Sequence, residues 1–265
     1  MSTVSYELSG PAAVITIERP ERRNAVDLDT AHALYDAFRR ADADEAVSVS
    51  ILTGRGEHFC AGADLKAIAG EAAGGAGRAN RILREGDFGP MGPTRMRTEK
   101  PIIAAIEGYA VAGGLELALW ADLRVAAETA NLGVFCRRFG VPLVDLGTVR
   151  LPRLIGHARA MDLILTGRAV GSAEALSFGL INRMVPKSQA LAAALVLAQE
   201  ISAFPQTCMR NDRRSAIDQW DLDWDEATRR EVDLGLITQR SGETAAGAQR
   251  FSSGQGRHGA FGLPA

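Results

Sequence analysis

This 265-residue chain has little that would hold a metal, a disulfide framework or a membrane. Its three cysteines, Cys60, Cys136 and Cys208, are odd in number and widely scattered, with no Cys-x-x-Cys pair. That pattern argues against a disulfide scaffold and a thiolate zinc site, and it fits a reducing compartment. The four histidines, His32, His58, His157 and His258, show no His-Glu-x-x-His spacing, so no metal is expected. A Gly-x-Ser-x-Gly nucleophile elbow is missing. Gly74-Gly75-Ala76-Gly77 lacks the Gly-Lys-Ser/Thr that would make it a nucleotide loop. No apolar run is long enough to span a bilayer, and residues 1–7 lack the basic and apolar regions of a secretory leader. The formal net charge of -2 leaves no electrostatic footprint for nucleic acid or an anionic membrane surface. A composition of 46% hydrophobic and 23% charged residues is that of an ordinary globular protein, expected in the cytoplasm. The length suits one large domain, or a domain with an appended helical piece.

What the chain does contain is a strand, a glycine turn and a helix start in one stretch. Ile102-Ile103-Ala104-Ala105-Ile106 reads as a short buried strand. Gly108 and the Gly113-Gly114 pair interrupt it, and from Leu115 the residues are good helix formers. A helix start carries unpaired N–H groups and the positive end of the dipole, which suits an anion or a developing oxyanion. Glu116 falls in that first turn, beside whatever the N–H groups bind. By itself this stretch reads equally well as a tightly packed turn with a stabilising glutamate.

A second stretch, Phe59-Cys60-Ala61-Gly62-Ala63-Asp64-Leu65-Lys66, follows the apolar run 47–53 and the Gly54-Arg55-Gly56 turn. Together, the two stretches resemble the crotonase (enoyl-CoA hydratase/isomerase) superfamily. The likeness extends over nearly the whole chain, with several motifs in the expected order. The fold it implies is an α/β spiral of ββα units with a C-terminal helical region for trimer formation. Residues 1–190 would form the acyl-CoA-binding core and residues 191–265 the helical oligomerisation region. In that family one backbone N–H from each stretch receives the thioester oxygen of an acyl-CoA; by position these are Ala63 and Gly113. Coenzyme A enters as part of the substrate and no separate cofactor is implied. The likeness also implies a homotrimer or hexamer.

In chain order, Ala12–Ile17 reads as a strand. The loop 21–26 resembles the family's loop near the nucleotide end of CoA, which makes Arg23 and Ala25 candidate substrate contacts and Arg22 or Arg23 a candidate phosphate partner. Ala61, Asp64, Leu65 and Lys66 resemble the loop around the pantetheine and adenine. An amphipathic helix is expected over 27–43, capped by Asp27 or Asp29. Residues 66–100 are the least regular, with a flexible 70–77 and a short helix over 78–85, and in the family they wall the acyl pocket. Strands are expected at 123–127 and near 185. A helix capped at Ser172 should end at Gly179, and helices should run from 188 to about 237 before a glycine-rich tail from 251. Along the first of these, Leu191, Leu195, Ala198 and Ile201 form an apolar face. The strand–helix alternation predicts parallel pairing.

The chemistry rests on acids beside the thioester. Hydratases of the family use two glutamates to hold water and move its proton to Cα. Glu116 matches the first. The second position, counted through Ala130-Asn131-Leu132-Gly133, is Cys136, and a thiol near its ordinary pKa of about 8.5 holds water poorly. Asp145 lies close to where some relatives place an acid, although a strict count puts Val144 there. Two readings of Asp145 stand: the second catalytic carboxylate, or a structural acid paired with Arg137, Arg138 or Arg150. The expected function is an enoyl-CoA hydratase-like lyase. An isomerase, hydrolase or other lyase of the same fold, and a non-catalytic acyl-CoA binder, are the alternatives.

Overall fold

The computed structural model describes residues 2–75 and 78–256. The strands are β1 (Val4–Ser9), β2 (Ala12–Ile17), β3 (Val49–Gly54), β4 (Ile102–Ile106), β5 (Tyr109–Val111), β6 (Leu123–Ala127), β7 (Asn131–Gly133), β8 (Val170–Gly171) and β9 (Arg183–Val185). The helices are α1 (Leu28–Ala43), α2 (Leu65–Ala72), α3 (Gly113–Trp120), α4 (Gly147–Ile155), α5 (His157–Thr166), α6 (Ser172–Phe178), α7 (Ala190–Ser202), α8 (Gln206–Asp218), α9 (Trp224–Arg240) and α10 (Glu243–Ser252). None of these helices is long and apolar enough to cross a membrane.

A six-stranded sheet runs in the order β1-β2-β3-β4-β6-β9, and a smaller one in the order β5-β7-β8. In the large sheet β2, β3, β4, β6 and β9 pair in parallel, as the alternation predicts. The exception is β1, an edge strand that pairs antiparallel to β2 through a tight turn at Gly10 and was not foreseen. Its six residues, Val4-Ser5-Tyr6-Glu7-Leu8-Ser9, alternate apolar and polar as a half-exposed edge strand does, a signal present in the sequence.

The central strands β2 and β4 are buried at every position, and are apolar save for Thr16, because both faces are covered. Ile15, Ile17, Ile102, Ala104 and Ile106 point into the main core with α1 and α3. Their neighbours Val14, Ile51, Ile103, Ala105 and Val125 point the other way, against Ala190, Ala194, Leu197 and Ala198 of α7. The stripe of α7 that meets the sheet is therefore 190/194/197/198, with Leu191, Leu195 and Ile201 on its flank rather than at its centre. So α7 closes the outer face of the core, and α8–α10 follow beyond it.

Local chemistry explains the remaining differences from expectation. Residues 78–85 form no helix, because their polar groups are committed elsewhere. Arg78 O accepts from Leu28 N, Ala79 N donates to Glu71, and the Asn80 amide donates to Pro90 O. The helix of this region is α2 instead, capped by Asp64, whose carboxylate accepts from Lys66 N and Ala67 N. Ser172 opens α6 but does not cap it; its hydroxyl donates to Ala127 O, deep in the core. Asp27 caps α1 as expected, accepting from Thr30 N. The tail expected from 251 is helical in α10 as far as Ser252, and the rest of it from 257 lies outside the described residues.

Phe38 of α1 sets the spacing between that helix and α3. It is fully buried, and its ring meets the Trp120 ring edge-on at 4.7 Å, while Trp120 Nε1 donates to Met96 O. The Phe38→Ala substitution is expected to destabilise the fold by about 3–5 kcal/mol, read from chemical denaturation midpoints.

Candidate active site

Two turns meet at the end of the large sheet. Cys60 bridges to Ala110 of β5, its N–H donating to Tyr109 O and its carbonyl accepting from Val111 N. This draws the chain after β3 onto the start of α3. The approach is close enough to require glycine at two places. Gly62 has φ +96, and a Cβ on it would stand 2.9 Å from both Gly113 N and Ala112 Cβ. A Cβ on Gly114 would overlap the Cys60 carbonyl. Between them Ala112 holds φ 54 and ψ -126, an uncommon backbone conformation for an L-residue that costs on the order of 1–3 kcal/mol. It is fixed by its own N–H, which donates to Gly133 O of β7 at 2.9 Å. As α3 begins at Gly113, that residue's N–H has no partner in the helix. Neither the Gly113 nor the Ala63 amide donates to any acceptor among the described residues.

Both residues line a cleft of about 770 Å³. On its walls the structure brings together Glu116, Ala63, Gly113, Asp145, Arg23, Ala25, Ala61, Asp64, Leu65, Lys66 and Cys136. Asp64 reaches the cleft with its carboxylate already occupied: besides capping α2 it pairs with Arg19, which also pairs with Asp27. Its role is thus to hold the loop, and a ligand contact would fall to its backbone. Asn80, Ile82 and Met91, from the 66–100 stretch expected to wall the acyl pocket, also line the cleft, as do Tyr109 and Phe135, which sequence reasoning missed. Tyr109, at the start of β5, and Phe135, in the turn after β7, carry no sequence pattern that would have found them.

Glu116 is 2% exposed. Its Oε1 accepts from Asp145 N at 2.9 Å and Gly147 N at 2.8 Å, at the turn that starts α4. Oε2 accepts nothing among the described residues and is the oxygen left for a ligand. Burial, and secondly the charge of Asp145, push the Glu116 carboxyl up to about 8. Asp145 is equally buried, and its Oδ1 accepts from Met91 N at 2.9 Å and from the Thr94 hydroxyl. Burial raises this carboxyl as well.

The ion pairs offered as an alternative for Asp145 do not form. Arg137 donates to Ile164 O, Arg138 to Gly167 O, and Arg150 reaches the backbone carbonyl of Asp145 rather than its carboxylate. Val144, the residue given by the strict count, lines the cleft too, but it has no titratable group. The Cys136 thiol is raised by burial and then by the Glu116 charge, which makes it a neutral, weakly polar wall opposite the glutamate.

A carboxyl raised on folding binds its proton more tightly in the native state. Glu116 therefore favours the fold most below its ordinary value of 4.5, and that contribution is lost as pH rises toward about 8. The Glu116→Gln variant, with no charge to bury, is expected to melt above the wild type at pH 9. At pH 5 the difference should shrink, as measured by thermal melts at the two pH values.

The chain matches the enoyl-CoA hydratase/isomerase family over residues 7–253. It is 35% identical over 250 residues to the enoyl-CoA hydratase EchA19 of Mycobacterium tuberculosis, covering 93% of this chain and 92% of that one. It is 40% identical over 165 residues to the (E)-benzylidenesuccinyl-CoA hydratase of Thauera aromatica, 62% of each chain. Its structure superposes on that of enoyl-CoA hydratase EchA1 from Mycobacterium marinum with a TM-score of 0.87, 36% identity and 96% of each chain covered. With the fold, the paired turns and these likenesses in agreement, the chain belongs to the enoyl-CoA hydratase/isomerase family, the crotonase superfamily of acyl-CoA enzymes.

Proposed function

We propose that the protein reversibly hydrates 2-enoyl-CoA thioesters to 3-hydroxyacyl-CoA, using Glu116 and Asp145 as its acid–base pair. The observation that carries this reading is the Glu116–Asp145 arrangement on one cleft wall, with each carboxylate fixed by N–H or O–H donors through one oxygen. The thioester oxygen accepts from Ala63 N and Gly113 N, whose amides are otherwise unused. Removing one donor of this kind in other enzymes costs about 3–4 kcal/mol of barrier, so two supply a large share of the rate. Enolate charge forms against those amides. Asp145 takes a proton from the attacking water, and Glu116 gives one to Cα; dehydration runs the roles backwards. In both directions the pair carries a single proton.

Around this centre Arg23 and Lys66 offer charge to the phosphates of coenzyme A, while Ala25, Ala61, Asp64 and Leu65 offer backbone and apolar surface. Cys136 is a passive wall, which favours a second reading, proton transfer without hydration, as in an isomerase. The exposed Trp224, Val232, Leu236 and Ile237 of α9 support self-association as a trimer or hexamer through the C-terminal helices. Three free cysteines suit the cytoplasm.

Crotonyl-CoA incubated with the protein in deuterated water is expected to yield a hydrated product with deuterium at Cα, read by mass spectrometry. Deuterium uptake without hydration would favour the isomerase, free CoA a hydrolase, and unchanged bound substrate a non-catalytic binder. The Glu116→Gln variant should lose about 10²–10⁴-fold in turnover, the range for a general acid–base group, and still bind acyl-CoA. Because only the singly protonated pair is competent, kcat/KM should follow a bell with its alkaline limb near the Glu116 value of about 8. A profile flat from pH 6 to 9 would remove Glu116 from the chemistry.

A further inference from the structure

Arg150 stands behind the two acids. Among the described residues it does not line the cleft, yet its guanidinium joins the two segments that hold the carboxylates. Nη1 donates to Asp145 O at 3.2 Å and Nη2 to Thr94 O at 2.7 Å. Thr94 in turn gives its hydroxyl to the Asp145 carboxylate, and Asp145 gives its N–H to Glu116. The fork therefore closes a ring: guanidinium, Thr94, Asp145 carboxylate, Asp145 backbone, guanidinium. Glu116 hangs from that ring by Asp145 N. A lysine would supply the charge without the planar fork that reaches two carbonyls at once.

The charges around it give a second, independent argument. Glu116 and Asp145 with one proton between them carry a single negative charge in a buried site, and Arg150 supplies the matching positive one. Its other charged neighbours are Asp122 and Arg153, of which Asp122 is engaged by Arg213. Arg95 also faces Asp145 and donates to Val144 O, and the Cys136 thiol facing Glu116 is neutral.

We propose that Arg150 is a positioning residue for the acid–base reaction, fixing both carboxylates through Thr94 and Asp145 and holding the pair at one proton near neutrality. This rests on the two-acid reading above. Without the positive charge, the buried pair would take up a second proton over the neutral range. Both limbs of the bell would then move to higher pH.

The test compares the wild type with Arg150→Gln, Arg150→Lys and Asp145→Asn. Arg150→Gln is expected to shift the acid limb upward by about one pH unit, the low end for losing a nearby opposite charge. At pH values below the limb that shift lowers kcat up to about tenfold, with KM changed less than about twofold. Arg150→Lys should return the limb close to its wild-type position while kcat stays depressed, because charge is restored and the fork is not. Carboxyl ¹³C NMR titration of Glu116 should show the same shifts without turnover. A Glu116 titration in folded Arg150→Gln that matches the wild type would overturn the proposal. Should the glutamine variant fail to fold, a lysine variant whose bell moves upward by a full unit would overturn it equally. Full activity in Asp145→Asn would instead defeat the two-acid reading, and the Glu116 titration would still decide the charge effect of Arg150.

Discussion

Cys60 and Ala110 pair backbone to backbone, and everything at the cleft follows from how tightly that pairing draws two turns together. A side chain on Gly62 or Gly114 would fill the seam, so two positions are confined to glycine by a clash rather than by a preference. Ala112 stays in an uncommon backbone conformation because β7 holds its N–H. The outcome is a helix whose first amides open on a cleft instead of on solvent or on another strand. The parallel strands β3 and β4 deliver these turns side by side, and α1 and α7 seal the sheet from either face.

Against that seam the electrostatics are arranged in sequence. Desolvation raises Glu116, and Asp145 raises it further, so one proton is kept where water alone would leave none. The α4 turn stabilises the ionised form through two N–H groups on one oxygen, leaving the other for chemistry. Cys136, standing where the resemblance implies a second glutamate, stays neutral and adds no third buried negative charge to the same space. In the proposed reading the second acid is Asp145, whose carboxylate receives its polar contacts from Met91 N and the Thr94 hydroxyl, while the Arg150 fork holds the backbone carbonyls of Asp145 and Thr94.

Much of this was legible in the sequence because turns and caps have their own signatures. The Gly108–Glu116 stretch, the Phe59–Lys66 stretch, the capped helix over 27–43 and the buried strand at 102–106 are each marked by glycine, aspartate or an unbroken apolar run. What escaped was set by tertiary contact. Residues 78–85 have helical composition, but Asn80, Ala79 and Arg78 are bound by α1, α2 and Pro90. Helix α2 was hidden because Asp64 was read as a ligand contact rather than as a cap. Whether Asp145 is turned to the glutamate cannot be read from spacing, because it depends on Leu146 adopting the left-handed region at the head of α4. Tyr109 and Phe135 reach the cleft only through the fold.

The central claim is that two backbone amides polarise a thioester carbonyl in this cleft. Infrared difference spectroscopy of an acyl-CoA labelled with ¹³C at the thioester carbonyl, bound to the Glu116→Gln variant, tests it without turnover. The account predicts a carbonyl stretch moved clearly below its position in free solution, reflecting two strong hydrogen bonds to oxygen. A bound thioester that keeps its free-solution frequency would show that the Ala63 and Gly113 amides do not meet the carbonyl, and the account would fail at its base.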